Sequence, residues 1–215
     1  MAIFNTYERL LVLAPHTDDG ELGAGGLINS FADAGVEIKY IAFSSCEASV
    51  PAGFHLDVLA TECHEAIKVL GIKEKDLTIK NYPVRWFHNH RQEILEELIR
   101  VRNDFRPDLV LAPCSFDVHQ DHSVIYKEAC RAFKDRTILG YELPWNCFSF
   151  DFDFAFELSS QNIEKKIQSI KCYESQSFRG YGDGELLRQL AMLRGSQING
   201  KCAEAYEVIR WVWRR

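Results

Sequence analysis

Apolar segments of strand length alternate with segments of helical period along the first two thirds of the chain. Predicted strands lie at 10–15, 37–44, 77–82, 108–113 and 137–143, and predicted helices at 21–34, 56–70, 91–105 and 123–133. This alternation is typical of βαβ units, in which helices cover a buried parallel sheet. The sequence therefore predicts an α/β fold with a mostly parallel sheet that is flanked by helices on both faces.

The alternation ends after Pro144. An aromatic-rich stretch at 146–158 precedes two predicted helices, near 163–173 and 184–194, and a last predicted strand at 205–213. No repeat, Gly/Ser linker or charge block separates this region from the rest. A chain of 215 residues also fits one domain. We therefore predict a single domain over 1–215, in which 1–143 form the βαβ core and 144–215 extend it and line the site.

Composition and charge exclude several classes of protein. A formal net charge of -6 has the wrong sign for neutralising a phosphate backbone, so we expect no nucleic-acid partner. The apolar runs are far shorter than the roughly 20 residues of a membrane span, and the N-terminus lacks the basic region of a secretory signal. Seven widely spaced cysteines without a C-x-x-C pair argue against a disulfide scaffold. We therefore expect a cytoplasmic protein that does not contact membranes.

Two predicted strand ends carry dense clusters of His and Asp. Strand 10–15 runs into HTDDGE at 16–21, and strand 108–113 runs into SFDVHQDH at 115–122. Ligands of open parallel sheets bind beyond the carboxyl ends of the strands, where imidazole and carboxylate groups can converge on one divalent metal. A lone acid there, such as Asp18 or Asp19, would equally suit a helix N-cap. The presence of two such clusters favours the metal site.

Four motifs resemble those of the LmbE-like/PIG-L family of N-deacetylases. HTDDGELGAGG at 16–26 resembles its H-P-D-D-x-x-L-G-x-G-G opening, with Thr17 in place of Pro, and HQDH at 119–122 resembles its H-x-D-H motif. KCYESQ at 171–176 resembles K-x-x-x-x-S-Q, with one residue fewer between Lys and Ser, and CAEAYE at 202–207 resembles the terminal A-E-A-F/Y. The motifs follow in the family's order over nearly the whole chain.

The resemblance implies a Rossmann-like fold that holds one zinc ion per chain. The family's ligands map to His16, Asp19 and His122, and its general base maps to Asp18. Two imidazoles and one carboxylate leave a position for water, as a catalytic zinc requires. The neighbouring Asp18 would then address that water.

The second motif supplies two further catalytic candidates by resemblance. His119 maps to the residue that stabilises the oxyanion or protonates the leaving amine, and Asp121 to the group that holds and charges this imidazole. The alternative role of both residues is capping of a helix that begins near Ser123. Glu21 is expected to stabilise the start of the first helix.

Substrate contacts are less constrained by the motifs. Glu62 stands where many relatives have a substrate-contacting Arg. Arg85 and Arg179 are candidates for binding an anionic part of a substrate, with an exposed surface position as the alternative. Trp145 is a candidate for stacking on a sugar ring, with core packing as the alternative.

The function implied is zinc-dependent removal of an N-acetyl group from an N-acetylated amino sugar or glycoconjugate, giving a free amine and acetate. A non-haem Fe(II) enzyme with the same ligands is one alternative. A sugar-binding relative that has lost catalysis is another. The expected partner is a small amino sugar, and a homo-oligomer is compatible with the resemblance.

Overall fold

The computed structural model describes residues 7–213. Residues 1–6, part of the segment that argues against a secretory signal, and residues 214–215 lie outside the described residues. The strands are β1 Arg9–Ala14, β2 Glu37–Ala42, β3 Leu77–Ile79, β4 Leu109–Pro113, β5 Thr137–Tyr141, β6 Phe154–Glu157 and β7 Ala203–Arg210. The α-helices are α1 Asp19–Asp33, α2 Val58–Val69, α3 Arg91–Phe105, α4 Gln120–Ala132, α5 Ser160–Lys171 and α6 Glu185–Ser196.

Within the described residues, the strands form one seven-stranded sheet in the order β3-β2-β1-β4-β5-β7-β6. The first five strands in this order pair in parallel, and β7 pairs antiparallel with both β5 and β6. The predicted single-domain α/β fold with a mostly parallel sheet is confirmed. Both strands from the C-terminal region join the same sheet.

Helices cover both faces of the sheet, as predicted. Leu10 and Val12 of β1 belong to an apolar cluster with residues of α1, α2, α5 and α6. Leu11 and Leu13, which point to the other face, pack with residues of α3 and α4. This alternation along a strand buried on both sides explains its continuous run of apolar residues.

The sheet has a topological switch point between β1 and β4. From β1 the chain builds outward through β2 and β3, and it then returns to place β4 on the other side of β1. The carboxyl ends of β1 and β4 are therefore neighbours. The two loops rich in His and Asp follow these strand ends, in the crevice where open α/β sheets bind ligands.

Helix α1 is anchored at a kink by a residue of the C-terminal strand. Ala24 departs from helical geometry, with φ -140° and ψ 16°. The backbone N–H groups of Gly26 and Leu27 donate to the Glu204 carboxylate at 2.9 and 2.8 Å, and Lys166 pairs with the same carboxylate at 2.6 Å. Strand β7 thus supports the helix whose first turn carries Asp19, and the terminal motif has a structural role.

The structure differs from the sequence-based expectations most clearly at β6, β3 and α4. Strand β6 lies within the aromatic-rich stretch, and within residues 7–213 it pairs with β7 alone, so its pattern is that of an edge strand. Strand β3 has only three residues. Helix α4 begins at Gln120 rather than near Ser123, because His119 serves as its N-cap. Among the described residues no helix is both long and apolar enough to cross a membrane.

Candidate metal and catalytic site

The loops at the switch point open into a cavity of about 630 Å³. Segments 16–19, 84–85, 119–122, 145–146 and 176–181 all contribute to its lining. The volume lies within the range of small-molecule sites. All metal-ligand candidates, the base candidate and all three substrate-contact candidates line this one cavity, whereas Asp121 lies behind it.

Three of the lining residues present one candidate ligand atom each, and these atoms lie at almost equal separations. His16 Nδ1 lies 3.2 Å from Asp19 Oδ2, and His122 Nε2 lies 3.1 Å from Asp19 Oδ2 and 3.1 Å from His16 Nδ1. We call these atoms the ligand triangle. Zinc at about 2.0–2.2 Å from tetrahedral ligands holds them about 3.3–3.5 Å apart. The ligand triangle therefore fits one ion of zinc size with little movement.

The second ring nitrogen of each imidazole in the ligand triangle contacts a buried carboxylate. His16 Nε2 lies 3.2 Å from Asp121 Oδ2, and His122 Nδ1 lies 2.7 Å from Asp117 Oδ2. The side chains of both aspartates are 0% exposed. Such contacts fix the tautomer and ring orientation of metal-binding histidines, so Asp117 and Asp121 form an outer pair of carboxylates.

The electrostatics of this group favour a bound cation. Burial alone lowers the pKa of His122, but the Asp19 and Asp117 carboxylates outweigh it and raise that pKa to about 10. The imidazoles of His122 and His16 hold the pKa of Asp19 well below its usual range, against the opposing effect of burial. Without a metal the group therefore retains a proton, and a divalent cation would displace it.

Asp18 and Asp19 are adjacent in sequence, but their carboxylates have different partners. Asp19 contacts the two imidazoles, whereas Asp18 Oδ2 accepts a hydrogen bond from the Tyr181 hydroxyl at 3.2 Å. Burial and the neighbouring Asp19 carboxylate raise the pKa of Asp18 to about 6. A carboxylate with this pKa, in a cavity beside a candidate metal-binding group, can accept a proton near neutral pH.

The Asp121 carboxylate does not hold His119, and this corrects the predicted pairing. Besides His16, it accepts hydrogen bonds from the backbone N–H groups of Arg85 at 2.6 Å and Phe87 at 3.3 Å. His119 instead accepts the Asp121 backbone N–H on its Nδ1 at 3.2 Å. This contact is the N-cap of α4, so the alternative capping role is present one turn earlier than expected.

His119 is also not charged by its surroundings. Burial and the nearby imidazoles of His122 and His16 lower the pKa of His119 to about 4. Because Nδ1 accepts a hydrogen bond, the neutral ring carries its proton on Nε2. His119 lines the cavity and offers a neutral N–H donor there. A ring nitrogen of His16, one of His119 and one of His122 also lie within 4.8 Å of one another, so His119 is an alternative candidate for the third metal ligand.

Two glutamates have structural partners. Glu21 is fully buried and accepts hydrogen bonds from the hydroxyls of Tyr40 and Tyr173, so its side chain does not cap α1. The Glu62 carboxylate accepts hydrogen bonds from the backbone N–H and hydroxyl of Ser175 at 2.8 and 2.6 Å. Glu62 therefore positions the turn before segment 176–181 rather than contacting a ligand.

The C-terminal region supplies aromatic groups to the cavity. Trp145 stacks on Tyr181, with ring centroids 4.6 Å apart and planes at 24°. No motif in the sequence marks Tyr181, and neither Tyr181 nor the role of Asp117 was predicted. Asp117 had a signal, because it lies in the same strand-end loop as His122.

Replacing Asp117 by Asn tests the outer pair of carboxylates. We expect metal affinity to fall about 10- to 100-fold, since His122 loses the anion that orients it and raises its basicity. Zinc competition with a chelating dye measures the change. Asp104→Asn, an exposed position on α3, removes the same charge and should leave the affinity unchanged. An unchanged affinity in Asp117→Asn would contradict the expectation.

The sequence model of the PIG-L family, described as GlcNAc-PI de-N-acetylase, matches residues 11–133. A curated protein, the uncharacterized deacetylase YaiS of Escherichia coli strain K12, is 25% identical over 177 residues, covering 80% of this chain and 93% of the relative.

Two solved structures share the fold. The N,N'-diacetylchitobiose deacetylase of Pyrococcus horikoshii superposes with a TM-score of 0.79 and 21% identity, over 96% of this chain and 85% of that chain. The 4-carboxy-2-hydroxymuconate hydratase of Pseudomonas putida KT2440 has a TM-score of 0.77 and 19% identity, over 97% and 98% of the two chains. Because proteins of this fold include both a deacetylase and a hydratase, the fold alone does not identify the reaction, and the residues of the site have to be considered.

Proposed function

The chain belongs to the PIG-L family, and from this premise we propose that it is a zinc-dependent N-deacetylase of N-acetylated amino sugars or glycoconjugates. The products would be a free amine and acetate. The observation that carries the proposal is the ligand triangle with the Asp18 carboxylate beside it in one cavity. A metal-binding group next to an independent base is what hydrolysis of an amide requires.

His16, Asp19 and His122 would hold the zinc ion. Two imidazoles and one carboxylate suit zinc, and three protein ligands leave a position for water or substrate. The separations within the ligand triangle and the outer pair of carboxylates support this assignment over one with His119, whose Nδ1 accepts the Asp121 backbone N–H. When bound, zinc would lower the pKa of a water molecule and polarise the amide carbonyl.

The side chains of the chain itself would carry the proton transfers. Asp18, oriented by the Tyr181 hydroxyl, accepts the proton of the attacking water. His119 donates a hydrogen bond from its Nε2–H to the carbonyl oxygen as negative charge develops there. A neutral imidazole can donate a hydrogen bond but has no additional proton to transfer near neutral pH. Asp18 therefore returns the proton to the amide nitrogen as the C–N bond breaks. The water oxygen remains in acetate.

The alternatives make different use of the same residues. An Fe(II) oxygenase would use the two imidazoles and the carboxylate as ligands, but oxygen activation gives no role to Asp18. A sugar-binding relative without catalysis would have no need of the Asp18–Tyr181 contact either. The position of Asp18 therefore favours hydrolysis.

We also propose the cytoplasm as the compartment and a small amino sugar as the partner. All seven cysteines are free thiols, including Cys114 and Cys147, whose sulfur atoms lie 3.6 Å apart. Free thiols at this separation suit a reducing environment.

Metal analysis combined with an acetate-release assay on a panel of N-acetylhexosamines tests the function. We expect one zinc per chain, and acetate and primary amine released in equal amounts. Chelation should stop the reaction and added zinc should restore it. Oxygen consumption that depends on iron would identify the oxygenase instead, and sugar binding without acetate release would identify the binding protein. Hydration of an unsaturated carboxylate would identify a hydratase.

A further inference from the structure

Two cysteine thiols lie against each other between two loops that contribute to the site. Cys114 directly follows β4 and begins the strand-end loop that carries Asp117. Cys147 lies two residues after Trp145, in the segment that joins β5 to β6. Their sulfur atoms are 3.6 Å apart and share a hydrogen bond. The two loops are therefore in contact through a pair of free thiols.

The two thiols differ in exposure and in acidity. Cys114 is 1% exposed, whereas Cys147 is half-buried beside Phe148, a side chain that is 93% exposed. The hydrogen bond from the Cys114 thiol lowers the pKa of Cys147. The thiolate is the form of cysteine that reacts with oxidants, and access increases its reactivity. Cys147 is therefore the thiol that a reagent in solution reaches, and Cys114 is the buried thiol beside it.

Formation of a disulfide would move the segment that carries Cys147. The backbone of Cys114 is fixed against β5: its N–H donates to the Tyr141 carbonyl at 3.2 Å, and a Cβ atom on Gly140 would lie 2.8 Å from its Cα. Disulfide sulfurs are about 2.05 Å apart, so these two have to approach by about 1.5 Å from their separation of 3.6 Å. Because the end of the sheet is packed on both sides, the movement falls mainly on the exposed segment.

This segment contacts the site at two points. Asn146, next to Cys147, donates from Nδ2 to Asp117 Oδ2 at 3.3 Å, and the same oxygen contacts His122 Nδ1. Trp145 stacks on Tyr181, whose hydroxyl orients the proposed base. A shift of Cys147 therefore changes both the support of a proposed metal ligand and the aromatic wall of the cavity.

From these observations we infer that Cys114 and Cys147 form a reversible redox pair, which hydrogen peroxide closes to a disulfide and which slows the reaction of the neighbouring site when it is closed. This inference goes beyond the proposed deacetylase function, and only its effect on turnover depends on that function. Disulfides that form in a reducing cytoplasm are usually transient and act in catalysis or redox sensing.

The oxidation takes place in two balanced steps. The Cys147 thiolate attacks one oxygen of the peroxide, the O–O bond breaks, and a sulfenic acid and, with one proton taken up, a water molecule form. The sulfur of Cys114 then attacks the Cys147 sulfur, the S–S bond forms and the S–O bond breaks. The hydroxyl group leaves as water with the proton of the Cys114 thiol. The two thiols lose two electrons, and the peroxide is reduced to two water molecules. A thiol reductant reverses the change by exchange.

Treatment of the reduced, zinc-loaded protein with hydrogen peroxide tests the pair. We expect the protein to lose two of its seven thiols, and mass spectrometry of an unreduced digest should show a bond between Cys114 and Cys147. Backbone amide exchange in segment 144–150 should slow, because the bond ties this segment to β4. If the bond does not form, or if it forms between other cysteines, the redox pair is refuted.

The effect on the site is measured by acetate release before and after oxidation. We expect turnover of the oxidised protein to fall about 10-fold or more, since a misplacement of about 1 Å in a site can cost about 10²-fold in rate. Dithiothreitol should restore it. Cys147→Ser keeps a hydrogen-bonding group at a half-buried position and cannot form the disulfide, so peroxide should leave its turnover unchanged. Cys130→Ser, a half-buried position on α4, is the matched control and should respond as the wild-type protein does.

The outcomes separate this proposal from the deacetylase function. If Cys147→Ser is inhibited as strongly as the wild-type protein, oxidation at another residue is responsible and the redox pair is refuted. The same holds if the disulfide forms while amide exchange and turnover stay unchanged. If the reduced protein releases no acetate, the deacetylase function fails. The disulfide and the amide exchange need no substrate, so they still decide whether the redox pair exists.

Discussion

Replacing Asp18 by Asn should lower kcat by at least about 10²-fold and leave the zinc content at the wild-type level. Asn has nearly the shape of Asp and keeps an oxygen that can accept the Tyr181 hydroxyl, but it cannot take up a proton. Asp18 makes no contact with the imidazoles of the ligand triangle, so its replacement does not remove a metal ligand. Acetate release and metal analysis on the same sample measure both quantities.

The adjacent substitution Asp19→Asn is the matched comparison. Asp19 contacts both imidazoles at 3.1–3.2 Å, so this variant should lose zinc as well as activity. If Asp18→Asn loses the metal and Asp19→Asn retains it, the roles of the two residues are exchanged. If Asp18→Asn retains both zinc and normal turnover, Asp18 is not the base.

The pH profile of the wild-type protein reports on the same carboxylate. Burial and Asp19 raise the pKa of Asp18 to about 6, and a base acts in its ionised form. The rate should therefore rise with pH as Asp18 ionises. With zinc bound, this rise should lie below about pH 6, since the positive charge of the metal favours the ionised carboxylate. The same rise should be absent from the residual activity of Asp18→Asn.

The location of the site was predictable because it follows from topology. Two strand ends rich in His and Asp can converge only if their strands are neighbours in the sheet, and the switch point between β1 and β4 makes them so. The grouping of His16, Asp19 and His122 therefore required only the correct strand order and the motif resemblance. The helices could also be predicted from the sequence, since α3 has clear apolar periodicity and ends shortly before Pro107.

The hydrogen-bond partners of individual carboxylates could not be predicted from the sequence. Asp121 lies two residues from His119 in sequence, but the start of α4 turns its carboxylate towards His16 and its backbone N–H towards His119. Asp121 contacts His16 instead of the expected His119 because α4 begins at Gln120, three residues before its predicted start. The Asp117 carboxylate contacts His122 because the loop folds back on itself. The spacing of the two residues in the sequence does not predict that contact.

The C-terminal part of the site was beyond sequence reasoning for a different reason. Tyr181 lies in an irregular segment between two helices, and only the tertiary structure brings its hydroxyl to Asp18. The Trp145–Tyr181 stack joins two segments that are far apart in sequence. Periodicity and motif spacing report on regular elements and local loops, so contacts of this kind have no local signal.

Replacing His122 by Ala should abolish stoichiometric zinc binding and with it the activity. His122 Nε2 is one of the three atoms of the ligand triangle, and its imidazole lies between the Asp19 and Asp117 carboxylates. Loss of a ligand should cost more than the about 10- to 100-fold in affinity that loss of an outer partner costs. Metal analysis after dialysis against a weak chelator measures the loss. Circular dichroism should show a folded protein, because the sheet and its helices do not depend on the metal.

His119→Ala is the matched control, because it removes an imidazole from the same cavity and resolves the choice of the third ligand. If Asp19 completes the site, His119→Ala retains one zinc per chain and loses mainly kcat, since its N–H acts on the developing oxyanion. If His119 is instead the third ligand with His16 and His122, His119→Ala loses zinc and Asp19→Asn retains it. A His122→Ala protein that still binds one zinc would exclude both sets, because each of them contains His122.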